Sequence, residues 1–150
     1  MREKINAALK AAIKSQDKRR MSTLRLINAA IKDRDIAART SGRDEGVSDA
    51  AVLEILAKMV KQRLESIKSF EEGGRPDLAQ QEREEIDVIQ TFMPKQLSEK
   101  ETRKVCEELV SEIGAAGLKD MGRCMNTLKE RYPGQMDFSK ASLHVKEMLK

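Results

Sequence analysis

Aromatic residues, histidine and cysteine are all scarce in this chain of 150 residues. It contains three Phe, one Tyr, no Trp, one His and two Cys. So few aromatic side chains argue against the stacking platforms that bind single-stranded nucleic acid. The lone His144 and two cysteines outside any CxxC pair give no metal-ligand spacing. Cys106 and Cys124 are therefore interpreted as small buried thiols of a reduced, cytoplasmic protein.

Long apolar runs and the common catalytic motifs are also missing. No segment approaches the roughly 20 apolar residues of a membrane-spanning helix, so we expect no membrane association. Charge interrupts the N-terminal segment throughout, which argues against a secretory signal, although its basic, amphipathic character leaves organelle targeting as an alternative. HExxH, GxxxxGK and GxGxxG motifs are absent. We therefore expect no metal, no cofactor and no catalytic residues that act alone.

Strong helix formers and helical periodicity fill most of the chain. Charged residues make up 36%, and apolar residues recur at helical spacing without strand-like alternation. The pattern predicts an all-α protein, with an N-terminal bundle of about four helices (domain 1–95) and a compact three-helix tail (domain 96–150). Ile13 and Leu64 lie on predicted apolar faces, and the polar stretch 38–49 is expected to be a loop. The predicted helix starts are Asp17, Ser48 or Asp49, Pro76, Ser98 with Glu101 in a capping box, Asp120, and Asp137 or Ser139.

Charged side chains interrupt the apolar faces of the third and fourth helices. Arg63 falls within the third, and Glu82 and Glu85 fall within the fourth. If Gly74 is the centre of the hairpin, Arg63 and Glu85 are equally far from it and stand at one level of two antiparallel helices. Because an unpaired buried charge costs several kcal/mol, we predict a structural Arg63–Glu85 ion pair. The alternative is an active-site carboxylate held by an arginine.

Basic residues are concentrated in the N-terminal part of the chain. Residues 1–40 hold eleven Lys and Arg against four Asp and Glu, whereas residues 41–93 hold seven against twelve. The dense basic run from Lys10 to Arg20 is suited to a polyanion. So are four cations predicted on the outer faces of the sixth and seventh helices: Lys119, Arg123, Lys140 and Lys146. The alternative is that all of these side chains only solvate their helices.

Three stretches resemble one known family, in the same order and spacing over almost the entire chain. They are "LRLINAAIKDRDI" (24–36), "GGRPDLAQQEREEIDVIQTFMPKQLSEKE" (73–101) and "GAAGLKDMGRCMNTLKERYPGQMD" (114–137). Together they resemble the YqeY family, whose members are stand-alone relatives of the tail region of the B subunit of glutamyl-/aspartyl-tRNA amidotransferase. The resemblance implies a larger helical bundle followed by a three-helix tail.

The resemblance also implies a tRNA-related function. In the amidotransferase the tail helps to grip tRNA outside its acceptor end, and the family label is a carbon–nitrogen ligase with glutamine as amido-N-donor. By this resemblance Lys119, Gly122 and Arg123 match the "KDMGR" piece of the tail and are candidates for contact with the tRNA backbone. Lys140 and Lys146 complete the candidate nucleic-acid-binding set. Met121 and Met125 match as well, but their helical spacing assigns them to the core first.

Three hypotheses of function remain open from the sequence. The first is a cytoplasmic tRNA-binding accessory protein without catalysis of its own. The second is a helical adaptor that docks on the amidotransferase or another translation protein. The third is an amidotransferase component that contributes to catalysis within a complex. Binding to a polyanion weakens steeply with salt, whereas docking of an apolar surface does not.

Overall fold

The structure, a computed structural model, describes residues 1–42 and 46–150. These residues form seven α-helices, one short 3-10 turn at Leu118–Asp120 and no strand, which confirms the predicted all-α fold. The helices are α1 (Arg2–Ser15), α2 (Lys18–Thr40), α3 (Asp49–Glu72), α4 (Pro76–Gln90), α5 (Glu99–Glu112), α6 (Met121–Arg131) and α7 (Phe138–Met148).

The chain divides into two compact units, Met1–Met93 and Pro94–Lys150. We call them unit 1 and unit 2. Unit 1 contains α1 to α4 and unit 2 contains α5 to α7. Each unit has a hydrophobic core of its own.

Local signals begin and end the helices of unit 1. The side chain of Asp17 accepts the N–H of Arg20 at 3.1 Å, and that of Ser48 accepts the N–H of Ala51 at 3.2 Å. Pro76 is the first residue of α4, where its missing N–H costs nothing. Gly74 turns the chain between α3 and α4 with φ of 72°, a left-handed conformation that glycine adopts without strain.

The predicted loop over 38–49 is shorter than expected at its start. Helix α2 continues to Thr40, so the first residues of that stretch are helical. Residues 43–45 of the predicted loop lie outside the described residues. Asp35 accepts the N–H of Val47 at 2.9 Å, and Arg2 Nη1 donates to Asp35 Oδ2 at 2.8 Å. One carboxylate therefore joins α1, α2 and the segment before α3.

The core of unit 1 is aliphatic. Its most deeply buried large side chains are Ile5, Leu24, Ile27, Leu56 and Ile89, and burial of each contributes about 1.5–3 kcal/mol. Two expected core residues are exceptions, because Ile13 is 47% exposed and Leu64 is 56% exposed. Each lies at the edge of its apolar stripe, where periodicity alone cannot show how wide a face the neighbouring helices cover.

Unit 2 combines caps with a core rich in sulfur. Ser98 and Glu101 form the predicted capping box, and Asp137 accepts the N–H of Ser139 at 2.9 Å at the start of α7. Gln96 Nε2 donates to the carbonyl of the buried Gly134 at 2.6 Å, which ties the segment before α5 to the turn before α7. The buried core consists of Cys106, Leu109, Cys124, Leu128, Met136, Ala141, Val145 and Leu149.

Candidate nucleic-acid interface

The start of α6 brings three predicted contact residues together. Lys119, Gly122 and Arg123 are all exposed. Lys119 lies in the 3-10 turn, and Gly122 and Arg123 follow it by three and four residues, a spacing that places both next to Lys119 on the surface. We call these three residues the α6 patch. The opposite side of α6 is held in the core by the fully buried Cys124 and Leu128. The apolar side thus orients the patch toward solvent.

Asp120 does not cap α6 as predicted. The 3-10 turn continues directly into the helix, so Asp120 already has a helical conformation with φ of −91° and ψ of −1°, and its side chain makes no cap hydrogen bond. Its Oδ2 instead accepts the N–H of Ala116 at 3.0 Å. That N–H lowers the pKa of the Asp120 carboxyl, and the charge of Arg123 lowers it further. An ionised carboxylate therefore sits beside the α6 patch.

Arg123 is partly engaged within unit 2. Its Nη2 lies 3.3 Å from the carbonyl oxygen of Ile113 and 3.5 Å from Asp120 Oδ1. The side chain nevertheless remains 57% exposed. Exposed ion pairs of this kind contribute at most about 1 kcal/mol, so an incoming phosphate can replace the contact at small cost.

Lys140 and Lys146 lie on different sides of α7. Both are exposed, but six residues at about 100° each place their directions about 120° apart. They occupy opposite edges of the exposed face, with Ala141 and Val145 buried on the other side of the helix. Helix α7 therefore does not present them as one patch.

His144 lines a small pocket of about 120 Å³ together with Leu97, Glu99, Thr102, Asp137 and Lys140. A nucleophilic site needs its base within hydrogen-bond distance of the nucleophile. No hydrogen bond of His144 to Thr102 or Glu99 occurs within the described part of the chain.

The two thiols are buried in unit 2. Burial raises the pKa of the Cys106 thiol to about 11 and also raises the pKa of Cys124. Both side chains pack in the hydrophobic core of unit 2, and the raised pKa disfavours the thiolate, which is the reactive form.

Arg63 meets Glu85 in unit 1, at the level that the hairpin count predicts. Arg63 Nε donates to Glu85 Oε2 at 2.9 Å, and Nη1 donates to the carbonyl of Met59 at 3.2 Å. The two side chains are only 13% and 16% exposed. Glu82 Oε2 lies 3.9 Å from the same Arg63 Nε. Burial raises the pKa of Glu82, the charge of Glu85 raises it further, and Arg63 opposes the shift.

Arg19 also belongs to this network, which the sequence did not indicate. The basic run from Lys10 to Arg20 identified it only as a possible polyanion contact. In the structure Arg19 Nε lies 3.2 Å from Glu84 Oε2, and Nη1 lies 3.9 Å from Glu85 Oε1. This pairing depends on how α2 packs against α4, and no local sequence signal encodes it.

Residues 1–42 and 46–150 hold neither a metal-binding cluster nor a membrane-spanning helix. No group of three or more His, Cys, Asp or Glu side chains is arranged to hold a metal ion there. No helix in those ranges has the length and apolar character needed to cross a bilayer.

The sequence matches a family model described as Yqey-like protein over residues 2–149. Curated relatives are named "Altered inheritance of mitochondria protein 41, mitochondrial". The relative from Eremothecium gossypii is 38% identical over 85 residues, which cover 57% of this chain and 44% of the relative. The relative from Vanderwaltozyma polyspora is 27% identical over 144 residues, which cover 90% of this chain and 75% of the relative. The relative from Saccharomyces cerevisiae strain YJM789 is 31% identical over 85 residues, again 57% of this chain and 44% of the relative. The chain thus spans less than half of the length of two of these relatives.

Proposed function

The chain belongs to the YqeY family, and on that premise we propose that it is a tRNA-binding accessory protein with no catalysis of its own. The α6 patch would contact the phosphate backbone of the tRNA. Lys119 is exposed and has no ion pair with any described residue. Arg123 is more than half exposed. Both charges are therefore available to phosphate.

The observation that carries this proposal is Gly122. Glycine within a helix is less stable than alanine by about 0.5–1 kcal/mol. A Cβ added at Gly122 would meet no atom within 4 Å, and its backbone is not left-handed. The packing of the chain therefore gives no reason for glycine here. A bare helix surface beside two cations allows a ligand backbone to approach closely.

Substitution of Gly122 separates this role from a structural one. Gly122→Ala should leave unit 2 as stable or stabilise it by about 0.5–1 kcal/mol, yet it should weaken the binding of unfractionated tRNA. Gly117→Ala is the matched control, because a Cβ there also meets nothing within 4 Å and its φ of −165° suits any residue. If Gly122→Ala binds tRNA as tightly as the parent chain does, Gly122 is not part of the interface.

The salt dependence of tRNA affinity tests the two charges of the α6 patch. Lys119→Ala combined with Arg123→Ala should reduce tRNA affinity and flatten the plot of log affinity against log salt. Each lost phosphate contact changes that slope by about 0.7–0.9. Helicity, followed by circular dichroism, should stay unchanged because the buried face of α6 is not altered. An unchanged slope would mean that the phosphate contacts lie elsewhere on the protein.

A second candidate is the adaptor, favoured by exposed leucines in unit 2. Leu118 is 52% exposed and Leu143 is 63% exposed. Salt titration distinguishes the two, because an apolar protein interface keeps its affinity at high salt. The catalytic alternative predicts amidated product from glutamine, ATP and misacylated tRNA, whereas the accessory proposal predicts none from the isolated chain.

The proposal assigns the protein to the compartment in which its tRNA is used. We propose the cytoplasm. The word "mitochondrial" in the names of the relatives makes the mitochondrial interior the alternative. Cell fractionation followed by detection of the native protein decides between them.

A further inference from the structure

Helix α2 carries a basic residue at every seventh position: Lys18, Arg25, Lys32 and Arg39. A helix turns about 100° per residue, so seven residues return to within about 20° of the same direction. The four side chains therefore follow one face of the helix. At a rise of about 1.5 Å per residue, neighbours are about 10 Å apart along the axis and the outermost two about 30 Å apart. We call these four residues the α2 stripe.

The α2 stripe faces away from the core of unit 1. All four of its residues are exposed. The buried face of the same helix holds Leu24, Ile27 and Ile31, which are 0%, 0% and 4% exposed. Burial of these side chains fixes the rotation of α2, so the stripe cannot turn inward without exposing the core.

Among the described residues, the stripe differs from Arg19 and Arg34 of the same helix in having no ion-pair partner. Arg19 lies 3.2 Å from Glu84, and Arg34 lies 3.3 Å from Glu54. Within residues 1–42 and 46–150, no stripe residue forms an ion pair. The charge of Arg39 helps to lower the pKa of Asp35, but Asp35 is already held by Arg2 and Val47.

Acidic side chains near the stripe reduce its field without cancelling it. Asp17 precedes Lys18 and is occupied as the N-cap of α2. Asp33 follows Lys32 but points about 100° around the helix from it. On the neighbouring α1, the exposed Lys10 and Lys14 add two more cations that have no ion pair with a described residue.

We propose that the α2 stripe binds the phosphate backbone of base-paired RNA. This inference deepens the proposed function and rests on it for the class of ligand, but it adds a second surface in unit 1. The spacing selects a long polyanion, because cations about 10 Å apart form no cradle for a single phosphate. Helix α2 contains no aromatic residue on which an unpaired base could stack. Backbone contact with little base reading is the usual recognition mode for double-stranded RNA.

An anionic membrane is the competing polyanion, and the structure favours RNA over it. A helix that lies in a membrane interface inserts a continuous apolar face between the lipids. The apolar face of α2 is already buried in unit 1. The exposed Leu26 and Ile36 are ten positions apart and do not form such a face.

The test uses the full chain and a loop-free RNA duplex of about 20 base pairs, slightly longer than the ~16 that a double-stranded-RNA-binding domain spans. Lys18→Gln, Arg25→Gln and Lys32→Gln are combined in one stripe variant. Its affinity for the duplex should fall, and the slope of log affinity against log salt should decrease by about 2 to 3, since each lost contact contributes about 0.9. Circular dichroism should show unchanged helicity.

The matched control combines Lys100→Gln, Lys104→Gln and Lys129→Gln in unit 2, which removes the same net charge from exposed side chains. It should bind the duplex with nearly the slope of the parent chain. If the control and the stripe variant lose the same affinity for the duplex, net charge alone explains the loss and the inference is overturned. Duplex binding by the stripe variant that matches the parent chain would also overturn it. If the stripe variant binds RNA as the parent chain does but no longer binds phosphatidylserine vesicles, the stripe is a membrane-binding surface instead.

The α6 variant, Lys119→Ala with Arg123→Ala, is measured in parallel on unfractionated tRNA. A parent chain that binds tRNA through the α6 patch but does not bind the duplex overturns the stripe alone. The opposite result is that the stripe variant loses duplex binding while the α6 variant binds tRNA as the parent chain does. That result overturns the α6 patch alone. Absence of binding to either RNA at low salt overturns both.

Discussion

Units 1 and 2 are both helical, but different interactions hold their helices in place. In unit 1, ion pairs link residues of different helices: Arg2 with Asp35, Arg63 with Glu85, and Arg19 with Glu84. In unit 2, the ion pair between helices, Arg131 with Glu112, is about half exposed. The capping box of α5, the cap of α7 and the Gln96–Gly134 hydrogen bond act at helix ends. Loss of one buried charge in unit 1 should therefore cost more than loss of one cap in unit 2.

The largest expected effect is that of Arg63→Ala. It strands Glu85 and Glu82 in a mostly buried position, and removal of one partner of a buried pair costs about 3 kcal/mol or more. Urea unfolding followed by circular dichroism measures the change. Tyr132 is the only tyrosine and packs against the core of unit 2, so its fluorescence reports on unit 2 within the same experiment.

A double-mutant cycle tests whether the pair itself is responsible. Arg63→Ala with Glu85→Ala should cost less than the sum of the two single changes, because the double variant leaves neither member of this pair without its partner. Glu82 loses Arg63 in the single and in the double variant alike. Strict additivity would show that the two side chains stabilise unit 1 independently and would break the contrast between the units.

An intermediate effect is expected for Ser98→Ala in unit 2. The change removes the side-chain oxygen that accepts the N–H of Glu101 at 3.1 Å, and loss of such a cap costs about 1 kcal/mol. The Tyr132 signal measures it. Ser66→Ala is the control, because Ser66 is a partly buried helical serine that caps no helix and whose side chain donates to the carbonyl of Gln62. A loss from Ser98→Ala as large as that from Arg63→Ala would contradict the proposed ranking.

The smallest expected effect is that of Glu82→Gln, and it depends on pH. Burial raises the pKa of Glu82, so the folded protein holds this proton more readily than the unfolded chain does. The contribution of Glu82 to stability is therefore greatest at low pH and declines as pH rises through the ordinary carboxyl range to the raised value. Glu82→Gln removes this decline, and the variant should be slightly more stable than the parent near pH 7.

The same comparison repeated near pH 4 supplies the control for Glu82→Gln. The advantage of the variant should shrink there, because the parent side chain is then largely protonated as well. A variant less stable than the parent near pH 7 would mean that attraction to Arg63 outweighs the burial of Glu82. Glu82 would then belong to the stabilising pairs of unit 1.

The candidate interface shows where prediction from sequence stops. Gly122 and Arg123 follow Lys119 by three and four residues, so helical spacing alone places both of them next to Lys119. The contact of Arg123 with the carbonyl of Ile113 spans ten residues, and helical spacing does not reveal it. Asp120 has the residue type of a cap, but the preceding 3-10 turn redirects its side chain to Ala116.

The sequence alone determined the all-helical fold, the number of α-helices among the described residues and most helix starts, including those at Asp17, Pro76 and Ser98. These features depend on propensity and on hydrogen bonds that span at most four residues, so the residue types at those positions suffice. Only the tertiary structure decided that Arg19 pairs with Glu84 and that Ile13 and Leu64 are exposed. Those outcomes depend on which helix lies beside which and at what rotation, and that is settled by packing over the whole unit rather than by any local pattern.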